Sequence, residues 1–341
     1  MICVVNYWII QARGAIMKKV VISHRLHEDG MAVLEKAGAT VSITNNGDPK
    51  VMLPELLDAE GLIIRIGSID RETMVAAKNL KVIGRPGVGV DDVDVEAATE
   101  LGIPVVIAPG ANTRSVAEQA FAFMFAAAKD MVHTDKELRK GNFAIRSSYK
   151  AYEIYGKTLG LVGYGNIGGI LAQMSAAVGM KVMIYDPFVQ PEKIKAEGYQ
   201  YEGDLQKLLQ TADVISLHVP LTSKTKNLIG ENEFKLMKKN AILINCARGG
   251  VVDEAALAQA LAADAIHAAA TDVFAVEPVT AEEPLLQYDN IIVSPHMAGQ
   301  TKEAASGVAT MAAEGVMAVI NGERWPHVCN PKAYEHPRWN S

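Results

Sequence analysis

The chain has 341 residues, 49% of them hydrophobic and 21% charged, with a formal net charge of -6. That length and apolar content suit two domains, each with its own core. The mild, well-mixed charge gives no electrostatic reason to expect nucleic acid or an anionic membrane as a partner. Three cysteines, Cys3, Cys246 and Cys329, stand far apart without paired spacing. No disulfide framework and no metal site are therefore expected, and a reducing cytoplasm is the expected setting.

Residues 1–16 carry two short apolar runs, Ile2-Cys3-Val4-Val5 and Tyr7-Trp8-Ile9-Ile10. They are too short to span a bilayer and lack a basic flank and a small-residue cleavage site, so they read as an N-terminal extension. After Met17-Lys18-Lys19, apolar β-branched runs at 20–23, 40–43, 61–65, 81–84 and 104–107 alternate with helical periodicity at 28–37, 49–59, 71–78 and 93–101. A stretch without Pro or Gly, 113–139, predicts one long buried helix. A second series then sets strands at 159–162, 181–185, 214–218, 241–245, 267–271 and 291–294, with a helix at 166–178. A last helix is predicted at 302–320, and the polar, Pro-containing segment 325–341 as irregular chain. The expected fold class is α/β, with two Rossmann-like, doubly wound parallel sheets.

Gly163-Tyr164-Gly165-Asn166-Ile167-Gly168 follows the apolar strand Leu159-Gly160-Leu161-Val162 and opens a helix. In that order the glycines permit a tight turn, close approach of a pyrophosphate, and packing of helix on strand. The phosphates would meet the free N–H groups of the helix start. Asp186, 18 residues beyond Gly168 at the end of the next strand, can accept hydrogen bonds from a ribose diol and would repel a 2′-phosphate. NAD is therefore the expected cofactor.

Polar groups then appear where three more strands should simply turn. Asn245-Cys246-Ala247-Arg248 follows one, Asp272 with Glu277 another, and His296 the third. In open parallel sheets the ligand crevice lies at the carboxyl ends of the strands, so all three ends are expected to face one cleft. An arginine fork can bind a carboxylate and polarise an adjacent carbonyl. A histidine can exchange a proton with the developing alkoxide, while a carboxylate orients the ring and favours its protonated form. Arg248, His296 and Glu277 take these roles, for hydride exchange with a small anionic 2-keto or 2-hydroxy acid.

The stretches 84–94, 112–118, 163–168, 245–253, 272–278 and 294–299 together resemble the D-isomer-specific 2-hydroxyacid dehydrogenases, especially their phosphoglycerate dehydrogenase and hydroxypyruvate or glyoxylate reductase branch. The resemblance implies a discontinuous substrate domain, 17–114 with 299–325, around a continuous NAD domain, 115–298, followed by a tail, 326–341. It implies that Asn166, Ile167, Val219, Pro220, Cys246, Ala247, Asp272 and Gly299 line the cofactor together with the glycines, Asp186, Arg248 and His296. It also implies that the backbone N–H groups of Val88 and Gly89 receive the substrate carboxylate, that Arg65 can face a distal phosphate, and that the chain forms a homodimer. Asp92 stands where many relatives have asparagine, and a regulatory C-terminal domain is not expected. The competing expectation is a non-catalytic, NAD-sensing corepressor-like protein, because such proteins share the fold and the same three side chains.

Overall fold

Runs of Val, Ile and Leu buried on both faces need no polar alternation, and they form the central strands of two parallel sheets. The structure, a computed structural model, describes residues 18–339; the extension 1–16, with Cys3, lies outside the described residues. Strands β1 (Lys19–Ile22), β2 (Thr40–Ile43), β3 (Gly61–Ile63), β4 (Val82–Gly84) and β5 (Val105–Val106) alternate with helices α1 (Glu28–Lys36), α2 (Pro49–Leu56), α3 (Arg71–Ala76) and α4 (Val95–Glu100). Helices α5 (Thr113–Ala128) and α6 (Met131–Arg139) follow. The second series comprises β6 (Thr158–Val162), α7 (Asn166–Ala177), β7 (Lys181–Tyr185), α8 (Pro191–Ala196), β8 (Gln200–Tyr201), α9 (Leu205–Thr211), β9 (Val214–Leu217), α10 (Glu231–Leu236), β10 (Ile242–Asn245), α11 (Glu254–Ala262), β11 (Ala268–Thr271) and β12 (Ile291–Val293), before the closing helix α12 (Lys302–Ile320).

Helix starts are written in the sequence as capping residues. Asp48, Asp70, Asp94, Asp204, Asp253 and Thr301 each accept a backbone N–H of the helix that follows. Each such cap contributes about 1 kcal/mol.

Two compact units result, one of the described residues up to Asn112 and from Thr301 onward, the other Thr113–Gln300. The first holds a sheet in the order β2-β1-β3-β4-β5. One face packs Val20, Ile22 and Ile63 against Val316 and Ile320 of α12, and the other packs Val21, Leu62 and Ile83 under α2, α3 and α4. The second unit holds the order β12-β11-β10-β9-β6-β7-β8. Its sheet is covered by α5 and α7 on one face and by α9, α10 and α11 on the other. The strand order reverses between β6 and β9, and such a switch point opens a crevice at the carboxyl ends of the strands.

Three expectations are corrected. The segment 113–139 is two helices, because the chain breaks at Lys129–Asp130, where Asp130 adopts φ 51°. Aspartate tolerates this left-handed conformation, and the Thr134 hydroxyl donates to the Asp130 carbonyl at 2.7 Å. Helix α5 buries an apolar face, whereas α6 buries no residue. The two-residue strand β8 has too little apolar pattern to be read. Lastly, the described part of the tail, up to Trp339, is packed into the first unit. Val328 bridges Val106 antiparallel, and the buried Asn330 accepts from Val105 N–H at 2.7 Å while donating to the Ile103 carbonyl at 3.0 Å. A short helical turn at Pro331–Glu335 follows.

Candidate active site

Register places the strand ends that carry the second unit's candidate residues on a single rim. Tyr185, Val162, Leu217, Asn245, Thr271 and Val293 lie level across six neighbouring parallel strands. The next residue on each strand is therefore Asp186, Gly163, His218, Cys246, Asp272 or Ser294. The sheet thus aligns the glycine turn, the acidic strand end and the histidine turn before any side-chain argument is made.

At the glycine turn the three positions have different surroundings. Gly163 has φ 100°, and a Cβ there would lie 2.4 Å from the His218 carbonyl oxygen. A Cβ on Gly168 would lie 2.5 Å from the Gly163 carbonyl oxygen, so the start of α7 sits directly on the turn. A Cβ on Gly165 would meet nothing within 4 Å. The second glycine therefore keeps open the space beside the first N–H groups of a 12-residue helix, which suits a pyrophosphate. Asn166 and Ile167 form the first turn of that helix, with Ile167 packed against the core. The Asp186 carboxylate accepts the N–H of Tyr164 at 2.7 Å and that of Phe188 at 2.8 Å. Its orientation is fixed, and each oxygen keeps a lone pair for a ribose hydroxyl. These residues fit a dinucleotide.

Val219 lies beneath Gly163, and the exposed Pro220 follows it off β9. His218, absent from the sequence-based site, is half-buried beneath the turn. Its Nε2 pairs with Ser216 Oγ at 2.9 Å, and its buried Nδ1 has no hydrogen-bond partner. Burial lowers its pKa from 6.5 to about 4. Unfolding restores the ordinary value, so between about pH 6.5 and pH 4 the unfolded chain takes up a proton that the folded chain refuses. Stability attributable to His218 is thus lost as pH falls through that window, by about 3 kcal/mol at its lower end. Urea denaturation of His218→Asn at pH 7 and pH 4.5 should show a smaller acid loss than the parent; equal losses would remove His218 from the account.

Beyond β10, Asn245 shapes the arginine turn. Its Oδ1 accepts Ala247 N–H at 3.0 Å, and its Nδ2 donates to the Arg248 carbonyl at 3.0 Å. Arg248 Nη1 donates to the Ala247 carbonyl at 2.8 Å. Cys246 is buried at the root of this turn, and burial together with neighbouring Asp272 pushes its thiol pKa up. It is an uncharged wall residue, not a nucleophile. Gly249 then passes so close to the next loop that a Cβ would lie 1.8 Å from the Phe274 carbonyl oxygen. The arginine turn and the loop carrying Glu277 are thereby in backbone contact.

Glu277 Oε2 and His296 Nδ1 are 2.7 Å apart, and Glu277 Oε1 accepts the N–H of Phe274 at 3.0 Å. The imidazole is thus oriented by the carboxylate, and Nε2 is left as the ring's other proton site. Glu254, also missed in the sequence, accepts the N–H of Ala275 at 2.6 Å and steadies the Glu277 loop. His296 has φ 50°, an unusual backbone for its type that costs on the order of 1 kcal/mol. Asp272 supports it. The Asp272 carbonyl accepts His296 N–H at 2.7 Å, and its carboxylate accepts the N–H groups of Met297 and Ala298, both at 2.8 Å, and the Ser294 hydroxyl. At 1% exposure Asp272 is turned into the protein, where it builds the histidine turn that leads on to Gly299.

In the first unit, Arg65 lies exposed just past β3, and its Nη1 donates to the Arg25 carbonyl at 3.3 Å. Val88 and Gly89 occupy the loop after β4, and among the described residues neither N–H donates to a protein acceptor.

The family model for the NAD binding domain of the D-isomer specific 2-hydroxyacid dehydrogenases matches residues 121–298. Over 92% of its length the chain is 43% identical to the D-3-phosphoglycerate dehydrogenase of Methanocaldococcus jannaschii, of which it spans 60%. It is 36% identical to the glyoxylate reductase of Korarchaeum cryptofilum, with 92% of this chain and 96% of that protein covered. The structure of TT0316 protein from Thermus thermophilus superposes with a TM-score of 0.81 at 33% identity, covering 91% of this chain and 99% of that one. An aligned rim of dinucleotide cradle and histidine–carboxylate pair, a family model over most of the unit that bears it, and a relative matched nearly end to end lead to one assignment: the chain belongs to the D-isomer specific 2-hydroxyacid dehydrogenase family, in the branch of phosphoglycerate dehydrogenases and glyoxylate or hydroxypyruvate reductases.

Proposed function

We propose that the chain is an NAD-dependent dehydrogenase that interconverts a small D-2-hydroxy acid and its 2-keto acid. The observation that carries this reading is the 2.7 Å pair of His296 and Glu277 on the same rim as the glycine turn. When bound, the dinucleotide gives or takes the hydride at the second carbon of the substrate. His296 Nε2 donates a proton to the oxygen of a carbonyl undergoing reduction, or withdraws it from the hydroxyl in the opposite direction. Glu277 holds the ring for that transfer through Nδ1, and Arg248 binds the substrate carboxylate while polarising the carbonyl. Val88 and Gly89 offer backbone N–H groups to a substrate carboxylate, as the family resemblance implies.

Asp186 supports NAD over NADP, since a fixed carboxylate repels a 2′-phosphate and Pro187-Phe188 beside it bring no cation. Arg65 is the group available to a distal anion. A homodimer is supported by the apolar side chains that Met131, Val132, Leu138 and Phe143 leave exposed on α6 and the turn after it, a patch suited to an interface. Free Cys246 and Cys329 suit a reducing cytoplasm.

NADH oxidation at about 340 nm, the absorbance of the reduced nicotinamide, against glyoxylate, pyruvate, hydroxypyruvate and 3-phosphohydroxypyruvate tests the proposal, with NADPH run in parallel. Turnover is expected with NADH and at least one of these acids, at a kcat/KM roughly tenfold or more above that with NADPH. A preference for the phosphorylated acid would make Arg65 a substrate ligand. Absence of turnover with all four would overturn the dehydrogenase reading in favour of an NAD-sensing role.

A further inference from the structure

One guanidinium in the first unit ties together the two loops to which substrate contacts are assigned above. Arg85, immediately after β4, donates from Nε to the Gly89 carbonyl at 3.1 Å. Its Nη1 donates to the carbonyls of Ile64 at 2.6 Å and Arg65 at 3.1 Å, and its Nη2 pairs with the Asp92 carboxylate at 2.9 Å. The side chains of Arg85 and Asp92 are only 18% and 26% exposed. An ion pair so covered, with hydrogen bonds on three sides, fixes geometry better than an open surface pair does.

The loop after Arg85 is anchored at its ends. Gly87 N–H donates to the Arg85 carbonyl and Ala108 N–H to the Gly87 carbonyl, both at 2.8 Å, while Ile69 N–H donates to the Asp92 carbonyl at 3.0 Å. Between these anchors, the N–H groups of Val88, Gly89 and Val90 donate to no described residue. The peptide linking Gly89 to Val90 is planar, so drawing the Gly89 carbonyl inward onto Arg85 turns the Val90 N–H the opposite way. Consecutive outward N–H groups form a concave site for an anion.

We propose that Arg85 is a positioning residue for the substrate: it holds 88–90 with their N–H groups presented to the carboxylate and ties that loop to the one carrying Arg65. The proposal rests on the reading that Val88 and Gly89 receive the carboxylate. Asp92 completes the device as a counter-ion that holds the fork in register. Its carboxylate is engaged by Arg85, which gives the aspartate at this position a task inside the protein. Lysine cannot replace Arg85, because one ammonium cannot serve four acceptors spread over two loops.

The test uses the full chain with NADH and glyoxylate, whose carboxylate is its sole handle besides the reacting carbonyl. Arg85→Lys is expected to raise KM roughly tenfold or more, with kcat changed less than about threefold and NADH affinity unchanged. Asp92→Asn keeps an acceptor oxygen but loses the charge, and its KM should rise about two- to fivefold. Val88→Pro, which deletes one N–H, separates the two levels of the argument. If it raises KM while Arg85→Lys leaves KM within about twofold of the parent, the positioning role fails and the carboxylate site stands. If Val88→Pro leaves KM unaltered, the carboxylate site fails and the positioning role with it. Should Arg85→Lys fold poorly by thermal melting and NADH binding, Asp92→Asn decides, a parental KM overturning the proposal.

Discussion

Replacing His296 with alanine should lower kcat by roughly a hundredfold or more, the usual loss when a general acid–base group is removed. The 2.7 Å contact with Glu277 leaves Nε2 as the reactive nitrogen, and among the described residues no other histidine pairs with a carboxylate on this rim. NADH affinity, read by fluorescence titration, should stay close to the parental value, because the glycine turn and Asp186 lie on other strands of the sheet. The fold should survive as well, since the imidazole is half exposed and the cost of placing alanine in the left-handed backbone at this position, on the order of 1 kcal/mol, is small beside the stability of a domain. A kcat within about tenfold of the parent would assign the proton to another group.

Asp272→Ala should produce the largest loss of stability among the site variants. The carboxylate is buried and accepts two backbone N–H groups and a hydroxyl. Alanine would leave those donors facing an apolar gap, at a cost of about 3–5 kcal/mol. Activity should fall in parallel, because the released turn carries His296. Asp272→Asn is the sharper control. It is nearly isosteric, yet its amide nitrogen must confront an N–H donor on whichever side it points, so it too should destabilise, by about 2 kcal/mol. Urea denaturation of both variants, with kcat measured alongside, checks the assignment. Stability within about 1 kcal/mol of the parent for Asp272→Ala would show that the turn closes without it.

How much of this was readable before folding depended on whether the physics was local. Strand ends punctuated by Gly163, Arg248, Asp272 and His296 stood out because an apolar run gives way abruptly to a functional group. Long-range partners did not show. His218 was simply the last residue of a strand in the sequence, although its level position with Cys246 and Asp272 follows from pairing of β9, β10 and β11. The donors that the Asp272 carboxylate holds, 22 to 26 residues away, could not be read from its place in the sequence. Arg85 lay inside a glycine-rich stretch that drew attention to the glycines, and its acceptors at Ile64 and Arg65 belong to another strand's loop. The helix break at Asp130 carried no Gly or Pro, and the tail looked irregular because its apolar residues, Trp325, Val328 and Trp339, pack singly instead of periodically.

That tail also changes what the first sheet can do to its neighbours in solution. Strand β5 forms one margin of the sheet, and an unpaired margin is a template on which another chain's extended segment can crystallise into register. Here the template is already used. Ile107 N–H donates to the His327 carbonyl, Cys329 N–H donates to the Val105 carbonyl, and Asn330 takes the Val105 N–H with its amide oxygen. The segment therefore works as an edge guard, and growth of this sheet by strand addition is blocked on the β5 side.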